Sequence, residues 1–174
     1  MVRTEVARIH SLDPAHRVMV TSFNSSTLDL DQAETRRADV GMAPPPGPAQ
    51  PGGHPEESLQ LGDVFGLDLY VVSWSVDLKA VPVQKRIGWK SEALPYWAAR
   101  SARKGDQLWI AEMQAGPWRG IEGFNPQDLV HSAVAYSGRG VGTFLLWGVE
   151  SWLTEPAWMA SGLEAVRVLR AQRR

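Results

Sequence analysis

The sequence predicts an α/β fold of about four parallel strands and four to five helices, and two observations carry that expectation. Segments with helical apolar spacing alternate with strand-like segments along the whole chain, a helix followed by strand and helix four times over. The strand-like segments are largely apolar with β-branched residues, as strands covered on both faces are, and each runs out into polar residues.

Val2, Val6, Ile9 and Leu12 fall at helical spacing, and Asp13-Pro14 ends that helix. Residues 18–24 (VMVTSFN) form the first strand, which runs into the polar cluster from Ser22 to Ser26. A short helix is expected over 29–38. The stretch 41–55, GMAPPPGPAQPGGHP, is too rich in proline and glycine to hold helix or strand. It is expected to be an insertion in a loop, so that 1–174 make one domain. Residues 63–70 (DVFGLDLY) alternate as a second strand, with Phe65, Leu67 and Leu69 on one face and Gly66, Asp68 and Tyr70 on the other.

A connection carrying Trp74 and Trp89 then leads to a helix over 91–104, with Leu94, Trp97, Ala98 and Ser101 on one side and Gly105 closing it. The third strand is 108–114 (LWIAEMQ). Asn125-Pro126 starts the next helix, with Leu129, Val130, Ala133 and Val134 as its buried stripe. The fourth strand is 141–148 (VGTFLLWG). Ser161 and Glu164 read as a capping box for a last helix with Leu163, Val166 and Leu169 facing inward.

Eighteen basic and nineteen acidic residues leave a formal charge of −1, with no basic stripe suited to a phosphate backbone, so nucleic acid is not an expected partner. No apolar run reaches the roughly 18 residues of a membrane span, and MVRTEVARIH lacks the apolar core of a signal peptide, so a soluble chain is expected. Cysteine is absent, which excludes disulfides, thiolate zinc sites and cysteine nucleophiles. The four histidines share no ligand spacing and no phosphate-binding glycine motif follows a strand, so neither metal nor nucleotide cofactor is expected. Eight tryptophans in 174 residues exceed ordinary use. Core packing accounts for most, and stacking on sugar rings is the functional alternative.

Ligands of parallel α/β folds meet the C-terminal strand ends, which here carry Ser22 and Asn24, Asp68 and Tyr70, Glu112 and Gln114, and Trp147 with Glu150 beyond. Glu112 interrupts an apolar strand, where a charge is costly unless it is paired or functional. Pairing with an arginine such as Arg119 is the structural alternative. Gln114 is placed to orient the nucleophile or a sugar, or to make a plain strand-end hydrogen bond. Trp118, after Gly116-Pro117, is placed to border a cleft.

Together, GDVFGLDLY, LWIAEMQAGPW and TFLLWGVESW resemble the last three strands of clan A retaining glycoside hydrolases, closest to the cellulase-like members related to family 5, with the family 42 β-galactosidases as a similar neighbour. The resemblance covers essentially the whole chain and implies the C-terminal half of a TIM barrel, from its fourth helix to its eighth. In that clan the seventh strand ends in the nucleophilic glutamate, the sixth carries a tyrosine that hydrogen-bonds it, and the eighth carries a tryptophan flooring the sugar site. Glu112, Tyr70 and Trp147 match those positions.

The sequence departs from the clan where the acid/base glutamate belongs. That residue sits in an Asn-Glu motif just before the helix with which this chain begins, and the motif is absent here. A retaining mechanism needs two carboxyl groups about 5–5.5 Å apart. Glu150 and Asp68 are the conceivable substitutes for it, but Glu150 reads better as a rim or binding carboxylate, and Asp68 as a satisfied acid of the barrel interior. The resemblance thus implies a carbohydrate substrate, an incomplete site in the isolated chain, and completion by an N-terminal half-barrel or a second copy. A carbohydrate-binding remnant without turnover, or an inactive fragment, is the competing expectation.

Overall fold

The computed structural model describes residues 2–22, 55–71, 82–117 and 123–171. Among them the elements run α1 (Val2–Leu12), β1 (Met19–Ser22), α2 (Pro55–Leu61), β2 (Val64–Leu69), α3 (Val83–Arg103), β3 (Leu108–Gln114), α4 (Pro126–Tyr136), β4 (Val141–Trp147), α5 (Glu150–Thr154) and α6 (Pro156–Ala171). The strands form one sheet in the order β1-β2-β3-β4, and every neighbouring pair is parallel. Spatial order follows chain order, so each crossover steps the same way. Right-handed crossovers then put α2, α3 and α4 on a single face of the sheet. A doubly wound sheet would reverse direction; four β/α units in unbroken order are the arrangement of half a (β/α)8 barrel.

The helix-covered face holds the core. Phe65, Leu67 and Leu69 of β2, Leu108, Ile110 and Met113 of β3, and Phe144 and Leu146 of β4 pack against Leu94 and Trp97 of α3 and Leu129 and Ala133 of α4. The Phe65 and Trp97 rings lie 5.6 Å apart, centre to centre. The opposite face carries Thr21, Gly66 and Ala111, which crowd together: a β-carbon on Gly66 would sit 3.0 Å from both neighbours. At β4 this inner face opens to solvent, with Leu145 and Trp147 exposed.

The N-terminal strand ends are fastened by polar contacts. Asp63 accepts hydrogen bonds from the Val18 amide and pairs with His10 of α1, each at 2.7 Å, while Arg17 pairs with Asp106 at 2.7 Å. The Val18 amide contributes most to holding the Asp63 carboxyl below its usual range. These contacts tie α1 to the starts of β1 and β2, the end of a β/α fold that serves stability.

Several elements differ from their sequence pattern. The third helix starts at Val83, eight residues before the expected 91, because Val83 and Ile87 extend the stripe of Leu94, Trp97 and Ser101 upstream; Trp89 therefore belongs to α3, and Pro95 lies within it. In α4 the buried positions are Asp128, Leu129, Ser132, Ala133 and Tyr136, while Val134, expected to be buried, is exposed. The last helix begins at Pro156, so Ser161 is interior to it and caps nothing. Its buried side is Trp158, Gly162 and Ala165, and Leu163 is exposed where burial was expected. Gly162 sets that rotation, since a β-carbon there would be 2.5 Å from the Trp152 indole. The helix α2 was not expected; proline fits its first turn, where no amide donor is needed. Residues 29–38 and 41–54 lie outside the described residues.

The Asn125 cap matches its sequence signature. Its side chain accepts from the Gln127 and Asp128 amides, at 3.0 and 3.3 Å, and Asp128 returns a bond to the Asn125 amide. Asn125→Ala is expected to lower stability by about 1 kcal/mol. Urea unfolding would measure it, and no loss would show the cap to be dispensable.

Candidate active site

The site is assembled at the C-terminal ends of β2, β3 and β4. Strict alternation along β3 would send Glu112 to the same side as Leu108 and Ile110, into the helix-covered core. A register shift prevents this. Leu67 pairs with Ile110, but the next residue, Asp68, pairs with Glu112, so Ala111 is the extra residue of a bulge. Ala111 and Glu112 therefore both face inward, and Met113 returns to the core, where it is fully buried.

Tyr70, just past the end of β2, donates its hydroxyl hydrogen bond to Glu112 Oε2. Burial is the main cause that raises the Tyr70 pKa, followed by this hydrogen bond and the charges of Glu112 and Asp68. The phenol therefore stays protonated, and a hydrogen-bond donor, through neutral and moderately alkaline pH. Trp147 closes β4, in register with Gln114, and is half exposed on the inner face. Three of the expected site residues, Tyr70, Glu112 and Trp147, thus lie on consecutive strand ends of one face.

Gln114 is buried, and its Oε1 accepts from the Val71 amide at 3.1 Å, tying the end of β3 to the chain leaving β2. Glu150 is exposed at the first position of α5. Trp118, Trp74, Asn24 and Arg119 lie outside the described residues, as does the side chain of Trp89.

Asp68 departs from its expected role. It is 2% exposed and its Oδ1 has no hydrogen-bond partner, so it is not a satisfied interior acid. Burial first, and the neighbouring Glu112 charge second, raise its pKa from 3.8 to about 7. Adjacent strands lie about 4.8 Å apart, so Asp68 and Glu112 are close enough for each to feel the other. Near neutral pH Asp68 is thus a readily protonated acid beside the tyrosine-bound Glu112. The signal was in the sequence: Asp68 is two residues before Tyr70 and shares its face.

Behind the site the backbones of β3 and β4 nearly touch. The Ala115 amide donates to the Trp147 carbonyl at 2.8 Å, and the Trp152 indole donates to the Ala115 carbonyl at 2.8 Å. Trp152, which no sequence signal singled out, thereby fixes the strand end from which Trp147 projects. Among the described residues, no group of three or more His, Cys, Asp or Glu side chains could hold a metal, and no helix is long and apolar enough to cross a membrane.

No protein-family model, curated protein or solved structure matches this chain.

Proposed function

We propose that the chain is of glycoside hydrolase lineage and carries the nucleophile half of a retaining site for O-glycosyl bonds. One observation carries the reading: Tyr70 donates to Glu112 across adjacent strand ends of an ordered β/α sheet. Supporting it, the indole of Trp147 is exposed on the same inner face one strand further, where an aromatic floor for a sugar would lie. In this reading Glu112 attacks the anomeric carbon of a carbohydrate, Tyr70 orients it, Trp147 stacks beneath the ring, and Trp118 and Glu150 belong to the rim.

The chemistry sets a sharp test. Attack by the Glu112 carboxylate forms a C1–O bond to the enzyme as the bond to the leaving oxygen breaks. An alkoxide leaving group needs a proton from an acid, whereas dinitrophenolate departs with its electron pair unassisted. The chain is therefore expected to release a burst of dinitrophenolate from a dinitrophenyl β-glycoside, approaching one equivalent and marking Glu112 with a sugar mass, while alkyl β-glycosides stay intact. Glu112→Gln should abolish the burst. No burst and no adduct across gluco-, galacto- and manno-configured substrates would sink the nucleophile assignment. Sugar-dependent tryptophan fluorescence without any adduct would instead favour a binding remnant.

A further inference from the structure

Two carboxyls face the inside of the sheet, and one donor serves them. Among the described residues, the inward-facing titratable groups of the strands and their ends are Asp68 on β2, Tyr70 just past it and Glu112 on β3. The segments of β1 (MVTS) and β4 (VGTFLLW) bring none, and no strand carries a cation. The bulge at Ala111 sets Asp68 and Glu112 across from each other on neighbouring strands, whose backbones lie about 4.8 Å apart. Tyr70 donates its hydroxyl to Glu112. Asp68 is 2% exposed and its Oδ1 accepts nothing. The buried Trp109 Nε1, a second donor on this face, also lacks a partner and so does not serve it. An enclosed carboxylate without a donor or a cation is costly, and a second beside it costs more. The site as built suits one negative charge, held by Tyr70.

We propose that Asp68 is a positioning residue for Glu112: neutral, it leaves the Tyr70 hydroxyl to Glu112, and ionised, it competes for that hydroxyl and displaces the Glu112 carboxylate. Tyr70 is placed to serve either group. It follows Asp68 by two residues on the same face, and the charges of both Glu112 and Asp68 act on its phenol. The two carboxyls differ in their freedom to move. Glu112 is partly exposed and can turn toward solvent, whereas Asp68 is enclosed and cannot, so repulsion between them moves Glu112. Burial and the Glu112 charge raise the Asp68 pKa to about 7, which puts the exchange near neutral pH. Asp68 needs no contact with a substrate for this; it acts through where Glu112 sits.

The effect on turnover rests on the assignment of Glu112 as the nucleophile, whereas the competition for Tyr70 does not, and the two are measured separately. The full chain, with three tyrosines, is labelled with carbon-13 at the ring carbon bearing the hydroxyl, whose chemical shift follows the hydrogen bond; Tyr70→Phe assigns the signal. In the parent the Tyr70 signal should move with a midpoint near pH 7, and in Asp68→Asn it should stay still across the same range. With a dinitrophenyl β-glycoside, the burst rate of the parent should fall about tenfold from pH 6 to pH 8, as the neutral fraction of a group titrating near 7 does. In Asp68→Asn it should change less than about twofold, because asparagine keeps the shape and never ionises. A moving Tyr70 signal without any burst would support the competition and sink the nucleophile assignment. A Tyr70 signal that stays still in the parent, which needs no variant to fold, overturns the proposal. An equal movement in Asp68→Asn, or a burst that falls equally in both chains, overturns it as well.

Discussion

Asp68→Asn is expected to abolish most of the pH dependence of this protein's stability between pH 4 and pH 8. The folded carboxyl titrates near 7 and its ordinary value is 3.8, so across that interval the native chain holds a proton that the unfolded chain releases. The sign follows: stability is fully present below about pH 4 and is lost as pH rises through 7. At 1.36 kcal/mol for each unit of pKa, the loss is at most about 4 kcal/mol, or a melting temperature lower by about 10 °C for a chain of this size. Asparagine keeps the shape and stays neutral, so the variant should have a flat profile and exceed the parent at pH 8. Glu112→Gln should make the parent's decline end at a somewhat lower pH and be somewhat smaller, because the Glu112 charge is the second cause of the shift, after burial. Thermal melts at pH 5 and pH 8 decide the matter; parallel profiles for parent and Asp68→Asn would show that Asp68 is ionised throughout.

Gly116→Ala should be among the most damaging single substitutions in the sheet. A β-carbon at residue 116 would lie 1.9 Å from the Gly148 carbonyl oxygen, which is backbone and cannot rotate aside. The ends of β3 and β4 would have to separate by more than an ångström. That movement would break the Ala115 amide bond to the Trp147 carbonyl and displace the Ala115 carbonyl from the Trp152 indole. Overpacking and the lost hydrogen bonds together cost about 3–4 kcal/mol. Trp147 would move with its strand, so its fluorescence spectrum should shift as well. Gly88→Ala is the control: it lies inside α3, a β-carbon there meets nothing within 4 Å, and stability should rise by up to about 1 kcal/mol. Equal urea midpoints for Gly116→Ala and the parent would mean that the two strand ends have room to part.

Much of the fold was legible because parallel β/α units leave strong local marks. The β3 segment was read from LWIAEMQ with its observed limits, and Asn125-Pro126 fixed the start of α4, since apolar runs and caps act over a few neighbouring residues. Errors gathered where packing chooses between helix faces. Leu163 and Val134 are apolar and fall at helical spacing, yet both are exposed; in the last helix Gly162 takes the buried side, because close approach to Trp152 leaves no room for a β-carbon. Glu112 and Tyr70 could be named from the strand ends, while the unsatisfied state of Asp68 could not, because it depends on what surrounds the carboxyl.

By itself the sequence determined the parallel β/α order, the strand that carries Glu112 and the residues at the strand ends, because period and polarity are properties of consecutive residues. The tertiary structure decided which way Glu112 points. Two-residue periodicity along β3 assigns it to the core beside Leu108 and Ile110. Only the shift in pairing with β2, which leaves Ala111 as an extra residue, turns the carboxylate inward to Asp68 and Tyr70. Register belongs to a pair of strands and not to either one, and a bulge spends one residue to reverse the direction of those that follow.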